Sequence, residues 1–236
     1  MIEAEELAFH YSSPRLEVFE SLSFSVRRDE VAVLLGPSGC GKSTLLGLMA
    51  GFMCPTRGIL SIGGRTDFAP GQLSSMVFQE DATFPWMTVE QNVGYAAPFR
   101  KGGEWSKDDV RRFLELCGLE GFERAWPRTL SGGMRKRVEL ARALASGLPV
   151  LLLDEPFASL DMLTRKRMHG VLKAALAHEP RTVVLVTHDV DEAVATAQVI
   201  FVLSSRPGTV TGSYRPEEWE DRESLRNALL QRVLEK

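Results

Sequence analysis

A glycine-rich segment, GPSGCGKST at 36–44, constrains the fold of this 236-residue chain more than any other feature. It satisfies the pattern G-x-x-x-x-G-K-[ST], follows the apolar run VAVLL and precedes the helical pattern STLLGLMAGF. In that context the glycines let successive backbone N–H groups face inward, and the start of the helix adds partial positive charge. The segment therefore predicts a phosphate-binding loop between a strand and a helix.

Two side chains of this loop carry most of its chemistry. Lys42 is expected to reach the β- and γ-phosphates of a nucleotide, and Ser43 to place its hydroxyl on Mg²⁺. Cys40 is interpreted as a small filler rather than a nucleophile. The residues of the loop expected to contact the nucleotide are Gly36, Pro37, Ser38, Gly39, Cys40, Gly41, Lys42, Ser43 and Thr44.

Short apolar runs recur along the chain and predict a sheet. They are VAVLLG (31–36), VLLLDE (150–155), TVVLVTH (182–188) and VIFVLSS (199–205). Continuous apolar strands of this length indicate a parallel sheet buried on both faces, and helical patterns lie between them, so the fold class is α/β. Residues 1–28 are expected to form antiparallel strands around the YSSP turn (11–14). Leu225, Leu229 and Val233 predict one buried face of a final helix packed on the body.

The predicted organisation is one domain spanning residues 1–236. Its core would comprise 1–84 and 147–215, built on a mainly parallel sheet with an antiparallel N-terminal β subdomain. A helical subdomain would be inserted at about 85–146, where Gly and Pro interrupt the pattern, and a C-terminal helix would occupy 216–236.

Composition excludes several classes of protein. The formal net charge of -3 argues against a general nucleic-acid binder, which must neutralise many phosphates. Cys40, Cys54 and Cys117 form no CxxC pair, so neither a disulfide framework nor a metal knuckle is expected and a reducing compartment is the default. The acidic start shows no signal peptide, and no apolar run approaches the roughly 20 residues of a membrane-spanning helix. The chain is therefore not expected to cross a membrane by itself.

Polar residues follow two of the predicted strands. VLLLDEP (150–156) places Asp154 and Glu155 at a strand end, where ligands bind in open parallel sheets. Asp154 is expected to bind Mg²⁺, directly or through water, and Glu155 to orient the attacking water or accept its proton. His188, in THD after another strand, is expected to donate a hydrogen bond to a γ-phosphate oxygen.

The segment LSGGMRKR at 130–137 allows three interpretations. It can be a loop that caps a solvated basic helix, a nucleic-acid patch, or a phosphate-binding corner. The net charge disfavours the nucleic-acid patch. The basic residues after the glycines are expected to form a solvated or subdomain-facing helix surface.

Taken in order, these motifs resemble those of the ATP-binding cassette ATPases, which have a P-loop NTPase core. The resemblance covers about residues 2–210. The matching features are Tyr11, GPSGCGKST, VFQE with Gln79, LSGGM, VLLLDEP, SLD with Asp161, and THD with His188.

This resemblance implies roles beyond those derived from the residues. Tyr11 would stack on adenine, and Gln79 would act in catalysis, contribute to the Mg²⁺ site and link the nucleotide to the helical subdomain. In this family the LSGG motif contacts the ATP of a second subunit, so the chain would form a head-to-tail homodimer with two sandwiched ATP molecules. The residues expected to contact ATP in trans are Ser131, Gly132, Gly133 and Asp161.

The FPWMTV segment, Met134 in LSGGMRKRVELARAL and SSRPGTV (204–210) are similar to the importer branch that handles nitrate, sulfonates and taurine. That branch implies a peripheral ATPase on the cytoplasmic face of the inner membrane, with integral membrane permease subunits, an extracytoplasmic solute-binding protein and no nucleic acid. The run from Phe84 to Met87 is either core or part of the groove that receives a membrane subunit. The alternative function is a soluble, lipid-transport or export cassette ATPase that serves no small-oxyanion importer.

Overall fold

The computed structural model describes residues 1–96, 107–158 and 160–234. These residues divide into two compact units. The first comprises Met1–Leu73 and the chain from Thr182 onward, and the second comprises Ser74–Arg181. Ser159 of the SLD motif lies outside the described residues.

The strands alternate with helices through much of the chain. The strands are β1 (Ile2–Ser12), β2 (Arg15–Val26), β3 (Val31–Leu35), β4 (Arg57–Ile62), β5 (Ser74–Val77), β6 (Val150–Asp154), β7 (Thr182–Thr187), β8 (Val199–Leu203) and β9 (Val210–Tyr214). The α-helices are α1 (Lys42–Met49), α2 (Val89–Gly94), α3 (Lys107–Leu116), α4 (Gly132–Ala145), α5 (Met162–His178), α6 (Val190–Thr196) and α7 (Arg222–Leu234).

The first unit contains an antiparallel sheet in the order β2-β1-β4. The turn between β1 and β2 falls at the predicted YSSP position, so the predicted antiparallel subdomain is confirmed. The sheet has a third strand that the sequence pattern did not indicate, β4, which pairs Ile62 with Ile2. Gly58 interrupts the apolar sequence pattern of β4 and has a φ of 80°. It lies so close to β1 that a Cβ at this position would be 2.3 Å from the Glu6 carbonyl oxygen. Only glycine fits there without a steric clash.

The same unit contains a parallel group of strands in the order β7-β3-β8. Every residue of these three strands is buried, as the continuous apolar runs predicted. The antiparallel strand β9 pairs with β8 at the edge and was not predicted. Its sequence VTGSY is polar and mostly half-buried, because an edge strand does not need apolar residues on both faces.

In the second unit β5 and β6 form a parallel pair, and α2, α3 and α4 pack against one another. The helical sequence patterns DDVRRFLELCGL (108–119), GMRKRVELARALASG (133–147) and LTRKRMHGVLKAALAHE (163–179) correspond to α3, α4 and α5. The α/β class with mainly parallel strands is therefore confirmed.

The last helix, α7, packs in the first unit against α6 and β8. Leu225 and Leu229 are fully buried and Val233 is half-buried, so the predicted apolar face is confirmed. Each fully buried leucine contributes about 1.5–3 kcal/mol relative to exposure. Arg226 adds an ion pair with Asp191 on α6.

Candidate functional site

The glycine-rich loop connects β3 to α1 in the first unit, as predicted. Gly41 immediately precedes α1 with a φ of 109°, and a Cβ at this position would lie 2.5 Å from Val18 Cγ1 and 2.7 Å from Phe19 Cζ. Within the described part of the chain, no side chain caps this helix start. The arrangement leaves the helix N-terminus available to an anion, which its partial positive charge favours.

The Lys42 side chain is buried and lies along the loop. Its ammonium donates hydrogen bonds to the carbonyl oxygens of Gly36 at 2.8 Å and Pro37 at 2.9 Å. These bonds hold a positive charge inside the curve of the loop. The Cys40 thiol is also buried, and desolvation raises its pKa although the charge of Lys42 opposes the shift. A raised thiol pKa agrees with the interpretation of Cys40 as a filler.

Tyr11 lies at the end of β1 and contacts the first turn of α1. Its hydroxyl is 3.1 Å from the Thr44 hydroxyl, and its ring meets Phe9 edge to face with the centroids 5.0 Å apart. The side chain remains 39% exposed. Tyr11, the aromatic residue expected to stack on adenine, therefore contacts Thr44, the last residue of the glycine loop.

The parallel register places His188 at the same sheet edge as the loop. Leu35 pairs with Thr187, so Gly36 and His188 are the next residues of two adjacent strands. His188 is exposed, and Asp189 after it caps α6 by accepting from the N–H groups of Asp191 and Glu192. Tyr11, the glycine loop and His188 therefore belong to one unit.

In the second unit Val77 of β5 pairs with Leu153 of β6, so the residues that follow these two strands lie at one edge of the parallel pair. Gln79 follows β5 and is exposed, whereas Asp154 ends β6 and is only 5% exposed. Glu155 has a φ of 45°, a left-handed conformation that few non-glycine residues adopt and that is typical of functional positions. The sheet register thus brings these three predicted residues to one edge.

The LSGG turn also lies in the second unit and starts α4. Ser131 is the N-cap residue, and its hydroxyl accepts a 3.2 Å hydrogen bond from Met134 N. Ser131 and Gly132 are exposed and Gly133 is half-buried. The turn therefore presents a hydroxyl and a helix N-terminus at the surface, as expected for an anion contact.

Asp161 is the N-cap of α5, and its Oδ1 accepts from the N–H groups of Leu163 and Thr164 at 3.0 Å each. Hydrogen bonding with Thr164 is the largest cause of a lowered pKa for this carboxyl group. Asp161 is exposed, and Leu163 beside it is 79% exposed. Met162, which also adjoins Asp161, is 72% exposed, so two neighbouring apolar side chains lie at the surface beside this carboxylate.

Arg206 contacts the glycine loop, although its local sequence gives no sign of that contact. Its guanidinium donates from Nε at 2.8 Å and from Nη2 to the Gly39 carbonyl oxygen of the glycine loop. The same turn is fixed by the Gly208 N–H, which donates to the Val18 carbonyl oxygen at 2.7 Å. Within SSRPGTV the local pattern indicates similarity to the importer branch, but it does not indicate which distant backbone atom the arginine contacts.

The aromatic run after Gln79 is partly exposed. Trp86 is 68% exposed and stacks on the half-buried Phe84, whose ring also meets Tyr95 edge to face. The interpretation of the run as core is therefore wrong for Trp86. Exposed aromatic rings that pack on one another form a small apolar surface of the kind found at protein interfaces.

A phosphate loop that joins a buried parallel strand to a helix, with a buried lysine inside its curve, is typical of the P-loop class of nucleoside triphosphatases. The family model described as ABC transporter matches residues 19–158. The chain belongs to this family. It is an ATP-binding, ATP-hydrolysing protein.

The chain is similar to curated proteins over most of its length. It is 43% identical to the aliphatic sulfonates import ATP-binding protein SsuB of Bacillus subtilis, over 89% of this chain and 81% of that protein. It is 43% identical to the nitrate import ATP-binding protein NrtD of a Synechocystis species, over 81% and 72%. It is 38% identical to the taurine import ATP-binding protein TauB of a Jannaschia species, over 85% and 75%.

Solved structures have the same fold. A dimeric ATP-binding cassette in a post-hydrolysis state, bound to ADP and Pi, superposes with a TM-score of 0.80 at 26% identity, covering 92% of this chain and 99% of that chain. The cbiO1 protein of Clostridium perfringens, part of an ABC transporter complex, also has a TM-score of 0.80 at 26% identity, over 98% and 94%. In the described residues of the present chain, no helix is long and apolar enough to span a membrane.

Proposed function

We propose that this chain is the ATPase subunit of an importer for a small solute such as an aliphatic sulfonate, nitrate or taurine. The observation that carries the proposal is the buried Lys42 in a glycine loop, within a chain 38–43% identical to import ATP-binding proteins of these three kinds. The predicted domain boundaries, with a helical subdomain at about 85–146 in a single domain, are part of this proposal.

In the first unit the proposed roles concern ATP binding. The N–H groups of residues 36–44 bind the phosphates, and Lys42 leaves the Gly36 and Pro37 carbonyl oxygens to meet the β- and γ-phosphate oxygens. Tyr11 stacks on adenine, for which its exposed ring is available. His188 donates a hydrogen bond to the γ-phosphate.

In the second unit the proposed roles concern hydrolysis. Glu155 orients the attacking water and accepts its proton, and its unusual backbone conformation supports a fixed position for that task. Gln79 binds the nucleotide-metal centre from the end of β5. Both residues follow strand ends, where polar groups of an open parallel sheet meet ligands.

We further propose a Mg²⁺ ion held by Ser43, Gln79 and Asp154. All three offer oxygen ligands, which Mg²⁺ prefers, and the described residues contain no cluster of three or more acidic, His or Cys side chains that would form a complete protein cage. A few protein ligands plus phosphate oxygens suit Mg²⁺ in this role. The ion, when bound, neutralises charge that develops on the phosphates.

The proposed active form is a head-to-tail homodimer. Ser131, Gly132 and Gly133 contact the γ-phosphate of ATP held by the other copy, and Asp161 contributes across the same interface. The exposed cap of α4 and the exposed Asp161 with Leu163 support this assignment. The dimeric state of the ADP- and Pi-bound cassette structure supports it as well.

The proposed partners are integral membrane permease subunits and, within the complex, an extracytoplasmic solute-binding protein; no nucleic acid is involved. The exposed Trp86 with Phe84 and Tyr95 forms the surface that receives the permease. The chain would then lie peripherally at the cytoplasmic face of the inner membrane.

Growth of a deletion strain tests the import function. Loss of the gene should abolish growth on an alkanesulfonate or taurine as the sole sulfur source, or on nitrate as the sole nitrogen source, but not on rich medium. Wild-type protein should restore growth and Glu155→Gln protein should not. Unchanged growth on all of these sources would contradict the proposed solute class.

A further inference from the structure

Helix α4 turns three charged side chains toward the segment 78–82 rather than toward solvent. Lys136, Glu139 and Arg142 are spaced by three residues, which places them on one face of the helix. Lys136 is 8% exposed and Glu139 is 1% exposed. The sequence predicts that the basic run is either solvated or faces the subdomain, and for Lys136 the solvated alternative is wrong.

Lys136 holds the backbone on both sides of Gln79. Its ammonium donates to the Phe78 carbonyl oxygen at 2.5 Å and to the Glu80 carbonyl oxygen at 2.7 Å. Its third contact, at 3.0 Å, is the Glu139 carboxylate. The three donors of one lysine are thus directed at three acceptors, two of which flank the predicted catalytic glutamine.

Glu139 and Arg142 hold the next part of the same segment. Glu139 Oε1 accepts a 2.7 Å hydrogen bond from Ala82 N, and Arg142 Nη2 donates to the Ala82 carbonyl oxygen at 2.7 Å. Arg135, one turn earlier on the helix, forms an ion pair with Asp81. Side chains of a single helix therefore bind four of the five residues from 78 to 82, all except Gln79.

Burial of charged groups is unfavourable unless they are paired and hydrogen-bonded. Lys136 and Glu139 meet that condition through each other and through backbone groups of 78–82. Apolar side chains at these positions would pack the helix without that cost but would offer no partners to the Phe78 and Glu80 carbonyls. The charges therefore serve to define the path of the segment.

We propose that Lys136 and Glu139 are positioning residues that hold the backbone around Gln79 against α4, the helix that begins after Ser131. The segment that contains Gln79 and the helix then move together when nucleotide binds. This inference rests on the proposed roles of Gln79 and Ser131. The partners of both residues are backbone groups, so they act through the segment and not on ATP.

The first test is Lys136→Met, measured as single-turnover ATP hydrolysis with the protein in excess and as equilibrium ATP affinity. We expect hydrolysis about tenfold slower or more, with ATP affinity within twofold of the wild type, because the glycine loop is untouched. Lys173→Met, which removes an exposed lysine from α5, is the matched control and should change neither quantity. A Lys136→Met protein with the wild-type rate would overturn the inference.

A second variant separates positioning from a simple folding defect. Lys136→Met leaves the Glu139 carboxylate buried without its lysine, whereas Lys136→Met with Glu139→Leu removes both charges. We expect the double variant to regain part of the lost thermal stability but to remain slow, because the Phe78 and Glu80 carbonyls still lack their donor and the Ala82 N–H lacks its acceptor. Recovery of the wild-type rate together with stability would show that the lone charge caused the defect and would overturn the inference.

A third comparison tests whether Lys136 acts through Gln79. If it does, Gln79→Ala combined with Lys136→Met should be no slower than Gln79→Ala alone, whereas two independent effects would multiply. Multiplied effects would overturn the inference. A wild-type rate for Gln79→Ala alone would instead overturn the proposed role of Gln79, and so the two failures are distinguishable.

Discussion

Gly41 and Ser131 both precede the first turn of a helix, but the corners they form are supported differently. The corner at Gly41 is packed against Val18 and Phe19, and its lysine is bonded to the loop's own carbonyls. The corner at Ser131 is capped by a side chain, is exposed, and is followed by buried charges that hold another segment.

This difference corresponds to two tasks. A loop that binds the phosphates of its own chain must keep its N–H groups turned inward, and tight apolar packing with no side-chain cap achieves that. A turn that contacts the nucleotide bound by another chain must be exposed, and the helix that follows it must be held firmly in place. We therefore expect substitutions in the first corner to alter ATP binding, and those in the second to alter the pairing of chains.

The largest expected effect comes from a substitution that stops hydrolysis and leaves the turns at Gly41 and Ser131 intact. Glu155→Gln should slow hydrolysis by about 10²–10⁴-fold, the usual contribution of a general base, and leave ATP affinity unchanged. With both corners intact, ATP should then accumulate in a dimer, measured by sedimentation with and without Mg²⁺-ATP.

The control for this measurement disrupts only the second corner. Glu155→Gln combined with Ser131→Arg should bind ATP and stay monomeric, because a bulky cation replaces the exposed cap. A dimer that forms equally well with Ser131→Arg would contradict the role of the turn in trans. Hydrolysis at the wild-type rate by the single Glu155→Gln variant would contradict the assignment of the base.

Lys42→Ala disrupts the first corner. We expect ATP affinity to fall about 10- to 100-fold, because each charge-assisted hydrogen bond contributes about 1.5–3 kcal/mol. Titration with a fluorescent ATP analogue measures it. The exposed Lys173 supplies the control, and an affinity unchanged in Lys42→Ala would refute the phosphate-loop assignment.

Two glycine-to-alanine substitutions compare the packing of the corners directly. Gly41→Ala should lower the free energy of unfolding by about 1–3 kcal/mol, because a φ of 109° and the close Val18 and Phe19 side chains exclude a Cβ. A Cβ on Gly132 would meet nothing closer than Arg135 Nη2 at 3.8 Å, so Gly132→Ala should be neutral or stabilise by up to about 1 kcal/mol. Denaturant unfolding measures both, and equal losses would contradict the comparison.

The smallest expected effect is a difference in cysteine reactivity, which probes how tightly the glycine loop is packed. Cys54 is exposed, whereas Cys40 and Cys117 are buried and burial raises the pKa of both thiols, that of Cys117 to about 12. A raised thiol pKa leaves less reactive thiolate at a given pH. At pH 8 an alkylating reagent should therefore modify one cysteine, Cys54, as judged by mass spectrometry of the native protein. Labelling of Cys40 at a similar rate would show that the glycine loop opens.

The local order of residues determined the α/β class, the phosphate loop, the antiparallel start and the terminal helix. Each depends on short-range rules: a continuous apolar run for a buried strand, a glycine pattern between strand and helix, and Leu225 and Leu229 on one helical face. The predicted site residues were identified in the same way, from motifs that are contiguous in sequence.

Tertiary structure decided what the basic run after LSGG does, what Arg206 contacts and how β4 and β9 join their sheets. RKR at the start of α4 has the pattern of a solvated helix face, and only the approach of segment 78–82 converts Lys136 into a buried donor. Arg206 binds Gly39, which lies 167 positions away in sequence. Burial and long-range hydrogen bonding depend on which segments become neighbours, and a residue's local pattern does not contain that information.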